Sequence, residues 1–452
     1  MTAPAEAPDA PRETGGLFQN PRFISLFIAQ ALSQLGQSTI LFTLLILVLR
    51  ETDSSLNTSI LVFSFIIPSL LFGVVAGLLI DRWNKRRVLV VISVLRGAAC
   101  AAYILVGDDL LLIYLNTLAF STFSQFFTPA QISLIPSAVR REHLVSANGI
   151  FNFTLMISQF AGLVIVAPFL LISFNADVVF GVVAGFYALA ALAGLAVPDA
   201  ERRREGPAAG PKQLWNRLGD ELRRGGELLR GDPEVGLAVG QLTLSATLVL
   251  LFSILVPRFL RDVLDLDPDQ AVIVFAPTGI GALIGLRALP WFTARLPKQR
   301  VTVIGLAGIG ICVILLALVE PIGELLAEWK LVDPYRENPE RLAGLSILAA
   351  LSMAIAAPIG LAYALVNSPA QTILHERTPP EIRGQVFATQ LSFANVVSIL
   401  PLLIVGGITD WLGVSVVLVG VGGIIAIAAA ISILVERRFI RRREEVGAKA
   451  FP

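Results

Sequence analysis

Apolar residues in this chain gather in long runs, each closed by a short polar or charged break. About 20 apolar residues are needed to cross ~30 Å of hydrocarbon as a helix. Twelve runs reach that length, at roughly 22–49, 56–80, 86–106, 110–135, 144–172, 176–197, 234–260, 269–294, 300–320, 342–373, 383–407 and 411–435. Several are long enough to tilt or to extend past the membrane. The pattern predicts an all-α integral membrane protein with twelve transmembrane helices.

Composition agrees. Of the 452 residues, 55% are apolar and 15% charged, and the mean hydropathy is +0.76. Water would not tolerate that much apolar surface, whereas lipid solvates it. The net charge of +1 excludes a strongly basic nucleic-acid binder. Cys100 and Cys312 are distant and lie inside apolar runs, which argues against a disulfide framework or metal cluster. With two histidines, a His-rich metal site is excluded as well.

The placement of charge orients the chain. If the amino terminus is cytoplasmic, 27 of the 35 Lys and Arg residues fall on that side and six on the other, with Arg96 and Arg287 left in the membrane. Cations are retained on the cytoplasmic side, so both termini are expected there. Residues 1–20, polar and rich in Pro and Ala, are expected to be a disordered cytoplasmic tail, and 437–452 a basic one. Residues 198–232 separate a six-helix bundle at 21–197 from another at 233–436. Within them Leu214, Leu218 and Leu222 recur among charges, which fits either an amphipathic helix on the inner leaflet or a solvated linker.

The chain also repeats itself. Gln30 and Arg50 match Gln241 and Arg261, Arg87-Val88 matches Arg300-Val301, and Pro129-Ala130-Gln131 matches Pro369-Ala370-Gln371. The longer Glu320–Arg341 loop accounts for most of the drift in offset. Two pseudo-symmetric bundles of common origin follow.

Between the second and third runs stands Gly77-Leu-Leu-Ile-Asp81-Arg82-Trp83-Asn84-Lys85-Arg86-Arg87. The pattern Gly-x-x-x-Asp-Arg-x-x-Arg/Lys-Arg resembles the signature loop of the major facilitator superfamily, a set of secondary transporters with twelve helices in two halves. Phe126-Phe127-x-Pro129-Ala130, Leu134-Ile135-Pro136 and Arg141-Glu142-x-Leu144-x-x-Ala147-Asn148 resemble a bacterial branch that exports siderophores (enterobactin) and macrolides. Asn20-Pro-Arg22-Phe23 and Ser33-Gln34-Leu35-Gly36 fit it too. Three features depart from relatives: Gln37 replaces an Asp common in the branch, span four has no Arg, and span five lacks a Gly-Pro pair.

The resemblance implies a conformational latch formed by Gly77, Asp81, Arg82, Arg86 and Arg87 with Arg383 at the start of span eleven. A helix start carries about half a positive charge, so a carboxylate there is worth ~0.3–2 kcal/mol. The plainer alternative is that Asp81 neutralises its neighbouring arginines. Amides and hydroxyls line shared helical faces: Gln30, Gln34 and Gln37; Asn152 and Gln159; Gln241 and Ser245; Asn367 and Gln371; with Gln125 and Asn395 beside them. They suit either interhelical hydrogen bonds or a central substrate cavity. Arg96 and Arg287, as intramembrane charges, must face protein or water; Arg287, nearer the cytoplasmic end, is expected to be structural.

No Ser-His-Asp arrangement, His cluster or phosphate-binding loop is present, so an enzyme, a cofactor or a metal is not expected. The reading is a secondary active exporter of small amphipathic molecules in the cell inner membrane, a monomer in the lipid bilayer. Coupling to a proton or sodium gradient and uncoupled movement both stay open. The alternatives are a lipid or lysolipid transporter or flippase, and a non-transporting membrane receptor or sensor of the same fold.

Overall fold

The computed structural model describes residues 17–80, 83–139, 143–197, 232–328, 346–378 and 383–450. Asp81 and Arg82 of the charged loop, the amphipathic stretch at 198–231, most of the 320–341 loop, and the side chains of Asn152 and Arg383 lie outside the described residues.

Among the described residues, fourteen α-helices follow one another: α1 (Pro21–Thr52), α2 (Ser55–Ile80), α3 (Lys85–Val106), α4 (Leu110–Ala138), α5 (Leu144–Phe160), α6 (Ala167–Ser173), α7 (Ala176–Leu195), α8 (Pro233–Leu264), α9 (Ala271–Arg295), α10 (Lys298–Ala317), α11 (Val319–Glu328), α12 (Ile347–Arg377), α13 (Arg383–Leu412) and α14 (Val414–Ala450). Among the described residues, ten helices are long and apolar enough to cross a membrane. The 26-residue α2 stands in the place of the second expected span. The fifth place is taken by α5 and α6, joined through a π-helical turn at Ala161–Val166.

The sequence marks where these helices begin. Asn20, Asn84, Asp109, Asn175, Asp232 and Ser346 each accept a backbone N–H of the following first turn. Such caps satisfy donors that hydrocarbon would leave unpaired. Order therefore begins earlier than expected. Leu17–Gln19 forms a 3₁₀ turn, and Asn20 also donates from Nδ2 to the Ala138 carbonyl at 2.8 Å, tying the start of α1 to the end of α4. Val319–Glu328 is helical, and α14 continues as helix to Ala450.

Packing repeats between the halves. The contacts α1/α7, α3/α7, α3/α4, α2/α4 and α1/α5 recur as α8/α14, α10/α14, α10/α12, α9/α12 and α8/α13. Across the halves, α2 packs on α13, and the π turn with α6 meets α9 and the turn before it, the relation a two-fold exchange requires. Helices α1 and α8 match closely. Each has 32 residues, an Asx cap, Pro at its first position and a left-handed Asp at its end, with Asp53 at φ 48° and Asp265 at φ 52°.

Helices α9 and α12 approach most closely where two glycines meet the other backbone. A Cβ on Gly281 would fall on the Ala357 carbonyl, and one on Gly360 on the Thr278 carbonyl. Backbone cannot step aside as a flexible side chain can, so overpacking here costs at least ~1–3 kcal/mol. Gly281→Val or Gly360→Val is expected to lower the thermal midpoint in detergent by several degrees or abolish a monodisperse peak on size exclusion. Val at Gly181, where a Cβ meets open space, serves as the neutral control.

Candidate functional site

Among the described residues, the polar contacts joining the two halves concentrate at the end that carries the α1–α2 turn. That turn ends α1 with Asp53 in the left-handed region, which aims its carbonyl and carboxylate toward α8. Arg258 Nη1 donates to both Asp53 oxygens, backbone O and Oδ1, at 2.7 Å, and Arg261 Nη1 reaches Oδ1 at 2.8 Å. Arg258 is only 15% exposed and is held in place by its Nε bond to Asp262 Oδ2 at 2.6 Å. In the reverse direction Arg50 of α1 meets Asp267, just beyond α8, at 4.0 Å. Arg50 and Arg261 are the repeat-related pair found in the sequence, and each reaches the acid that follows the other's helix. Exposed ion pairs are worth ~0.2–1 kcal/mol each; a carboxylate shared by two arginines exceeds a single pair by geometry alone.

Beside this cluster, α2 and α13 run antiparallel. Asp410, near the end of α13, accepts from Ser55 N at 2.7 Å, Leu56 N at 3.0 Å and Ser54 Oγ at 2.7 Å. A carboxylate from one half thus caps the first turn of a helix in the other, combining charge-assisted hydrogen bonds with the favourable helix dipole. Close approach permits it, since a Cβ on Gly406 would strike Ser59 Oγ and the Ser55 carbonyl. Deeper along the same crossing, Asn395 Nδ2 donates to Ser69 Oγ at 3.1 Å.

The amides expected to line a cavity divide into groups. Gln30 is buried and Gln34 half-buried on α1. Gln125 and Asn367 turn back to carbonyls of their own helices, Ser121 and Tyr363. Gln159 and Gln371 are exposed. Gln241 and Ser245, one turn apart on α8, are buried, yet Gln241 Nε2 and Oε1 and Ser245 Oγ have no hydrogen-bond partner among the described residues. Desolvating such groups without a partner costs about 1–3 kcal/mol each, so this face of α8 would be stabilised by any polar group that reached it.

Gln37 is committed elsewhere. Its Oε1 accepts from Arg96 Nη2 at 2.8 Å. Arg96, on α3 and 1% exposed, also donates from Nη1 to Ser33 Oγ at 2.6 Å and from Nη2 to Tyr187 OH at 2.8 Å. Its guanidinium lies 4.4 Å from the Tyr187 ring centre, 5.1 Å from Phe120 and 5.4 Å from Phe127. Three neutral acceptors and three ring faces replace the carboxylate that would ordinarily hold a buried arginine. Arg96 therefore fastens α1, α4 and α7 to α3 inside the first bundle.

Arg287 departs from its expected role. It is exposed on α9 and makes no hydrogen bond or ion pair with any described residue.

The signature loop is visible only in part. Helix α2 runs through Gly77 to Ile80, and Arg86 donates to the Leu195 carbonyl within the first bundle. Arg87 is exposed at the start of α3. Sequence reasoning missed Asp53 and Arg258 of the inter-half cluster, as well as Ser33 and Tyr187 around Arg96. Two signals for the cluster were present: the Asp closing each long run, and Arg258 with Arg261 on one helical face. Among the described residues no group of His, Cys, Asp and Glu could hold a metal ion.

Comparison with known proteins adds family and fold. Residues 26–330 match the model of the Major Facilitator Superfamily. An uncharacterized MFS-type transporter, YfiS of Bacillus subtilis, is 24% identical over 448 residues, covering 96% of this chain and 99% of the relative. The multidrug efflux pump Tap of Mycobacterium tuberculosis is 23% identical over 406 residues, covering 87% and 88%. Among solved structures, a bacterial homolog of the human lysosomal transporter Spinster superposes with TM-score 0.70 at 14% identity, covering 94% of this chain and 98% of that one. The nucleoside transporter NupG gives 0.66 at 14%, covering 91% and 98%.

Truncating Arg96 leaves three polar groups and a void where one fork had satisfied them. Arg96→Ala is expected to cost about 1–3 kcal/mol for each buried group left without its partner, and to lower the thermal midpoint sharply. Gln37→Glu supplies the missing countercharge and is expected to raise it. A midpoint unchanged by Arg96→Ala would contradict the structural role.

Proposed function

This chain belongs to the Major Facilitator Superfamily, and from that premise we propose that it is a secondary exporter of amphipathic organic molecules working by alternating access. Its site is the multi-pass membrane body, placed in the inner membrane of a bacterial cell with both termini cytoplasmic. The placement of Lys and Arg supports this orientation, which makes the Asp53 end the outer one.

The observation that carries the reading is the outer gate. Asp53 with Arg258 and Arg261, and Asp410 on the first turn of α2, hold the two halves together on that side. To admit the outside, both sets of contacts must break. Since α2 and α13 are antiparallel, each ends beside the other's beginning. Asp410 caps α2 outside; the Asp81 latch implied by the signature loop would meet the start of α13, near Arg383, inside. The two acids thus favour opposite states, and a substrate shifts the balance only through its differential affinity for them.

The interior supports a substrate held by apolar contact and a few polar groups. The open amide and hydroxyl of Gln241 and Ser245, with the half-buried Gln34 and Asn367, offer donors and acceptors without a fixed acid. A relative described as a multidrug efflux pump points the same way. The siderophore and macrolide branch signatures at Phe126–Ala130 and Arg141–Asn148 belong with this export direction.

The test is transport by purified protein in liposomes under an imposed proton or sodium gradient, against a dye and lysolipid panel. Gradient-driven dye movement is the expected result; lipid movement without a gradient would replace the exporter reading. For the gate, a background lacking Cys100 and Cys312 with Gln241→Cys reports on outside access. Adding Asp410→Ala removes about 1 kcal/mol of helix-end interaction, the mid-range for such a charge. Labelling by an impermeant maleimide from outside should rise ~5-fold, as the population arithmetic gives, and transport should slow. Unchanged labelling would reject the gate.

A further inference from the structure

The spans hold positive charge that the described protein does not balance. Arg96 and Arg287 lie deep in their helices, whereas the acids of the described spans stand at helix ends, as Glu234, Asp262, Glu376 and Asp410 do. Arg96 is absorbed by neutral acceptors and rings inside the first bundle. Arg287 is exposed and has no partner among the described residues.

Its depth makes this informative. Eight residues separate Arg287 from Arg295 at the end of α9, which at 1.5 Å per residue is about 12 Å. Half the hydrocarbon thickness is ~15 Å. An arginine side chain that far from the interface cannot bring its charge fully back to water, and leaving it bare in lipid costs ~2.5–3.5 kcal/mol on insertion scales. A cation at this depth with no structural task is retained for something that approaches it. Its surroundings suit an amphiphile. On the same face toward the outer end stand Ile280, Leu283 and Ile284, respectively 61%, 68% and 52% exposed. Toward the inner end Arg295 lies over the Trp291 ring, 3.9 Å from its centre. The face therefore offers an apolar track, an unpaired cation and a second cation near the membrane surface, with no acid anywhere on α9.

We propose that Arg287 is the headgroup contact of an anionic amphiphile, and that the exporter's substrates include molecules carrying a sulfonate, phosphate or carboxylate on an apolar body. This refines the exporter reading above and rests on it for the word substrate, though the binding site stands on the geometry of α9 alone. Arg295 and Trp291 hold the inner end of the track, where an anion arriving from the cytoplasmic surface first meets positive charge. The anion then moves to Arg287 with its apolar part along Leu283 and Ile284.

Trp291 lies one turn from Arg287 and makes binding visible without transport. The probe is ω-bromoundecanesulfonate, an anion at every accessible pH whose bromine quenches indole fluorescence. Its neutral counterpart is ω-bromoundecanol, and its cationic one ω-bromoundecyltrimethylammonium. Quenching is read as the difference between the intact protein and Trp291→Phe. The sulfonate is expected to quench saturably, with Arg287→Gln weakening it at least ~10-fold, as loss of a charge-assisted contact implies, and Arg287→Lys by no more than ~3-fold. The other two probes should not depend on Arg287. Equal quenching by all three, or indifference of the sulfonate to Arg287→Gln, overturns the site.

A second arm separates a transported anion from a bound lipid. In phosphatidylcholine liposomes the sulfonate should be moved under a gradient, and Arg287→Gln should abolish this while sparing a neutral dye. If phosphatidylglycerol displaces the probe and no sulfonate moves while the dye does, Arg287 serves a lipid and the substrate assignment falls. Binding of the sulfonate without movement of any compound would leave the anion site standing and remove the exporter reading instead.

Discussion

Hydrocarbon solvates neither a charge nor an unpaired peptide group, and much of this structure follows from how its polar groups escape that penalty. The backbone escapes by being helical, with Asx and Ser caps closing the first turns. Arg96 escapes by gathering Ser33, Gln37 and Tyr187 and three aromatic faces around one guanidinium. Asp53 and Asp410 escape by sitting at a helix end, where the same contacts that satisfy them also join the halves. Stability and the contact between the halves are therefore written in the same few interactions, because lipid leaves so few places for charge.

Much of the fold was legible because its signals are coarse. A membrane span is a long apolar run, and a run such as Val88–Val106 needs no partner to be recognised. The duplication was legible in scattered identities, though those of Gln30 and Gln241 sit one residue out of step with the helix ends Pro21 and Pro233 that the structure pairs. The site was far less legible. A glutamine in a span looks the same whether it lines a cavity, as expected for Gln37, or accepts from an arginine two helices away. Arg287 shows the opposite difficulty: its burial depends on which face of α9 meets α12, and that is decided by Gly281 and Gly285 lying against the other backbone. Such choices are made by tertiary packing and leave no local periodicity to read.

The gate illustrates a further limit. Asp53 gains its role from a left-handed backbone at the end of α1, and its partner Arg258 lies more than two hundred positions away in the other half. Sequence marks both residues as charges near span ends, a description that fits many others. Only the antiparallel crossing of α2 with α13 and the docking of α1 beside α8 bring these particular ends together.

The paired design of α1 and α8 has one more consequence. The arginine of each helix reaches for the acid beyond the other, but the two reaches are unequal: Arg261 lies 2.8 Å from Asp53, reinforced by Arg258, while Arg50 stands 4.0 Å from Asp267. Two similar clasps at the ends of α1 and α8 thus grip with different strength. Should the bundles part at this end as proposed, the Arg50–Asp267 pair is the first to yield and the Asp53 contacts are the last.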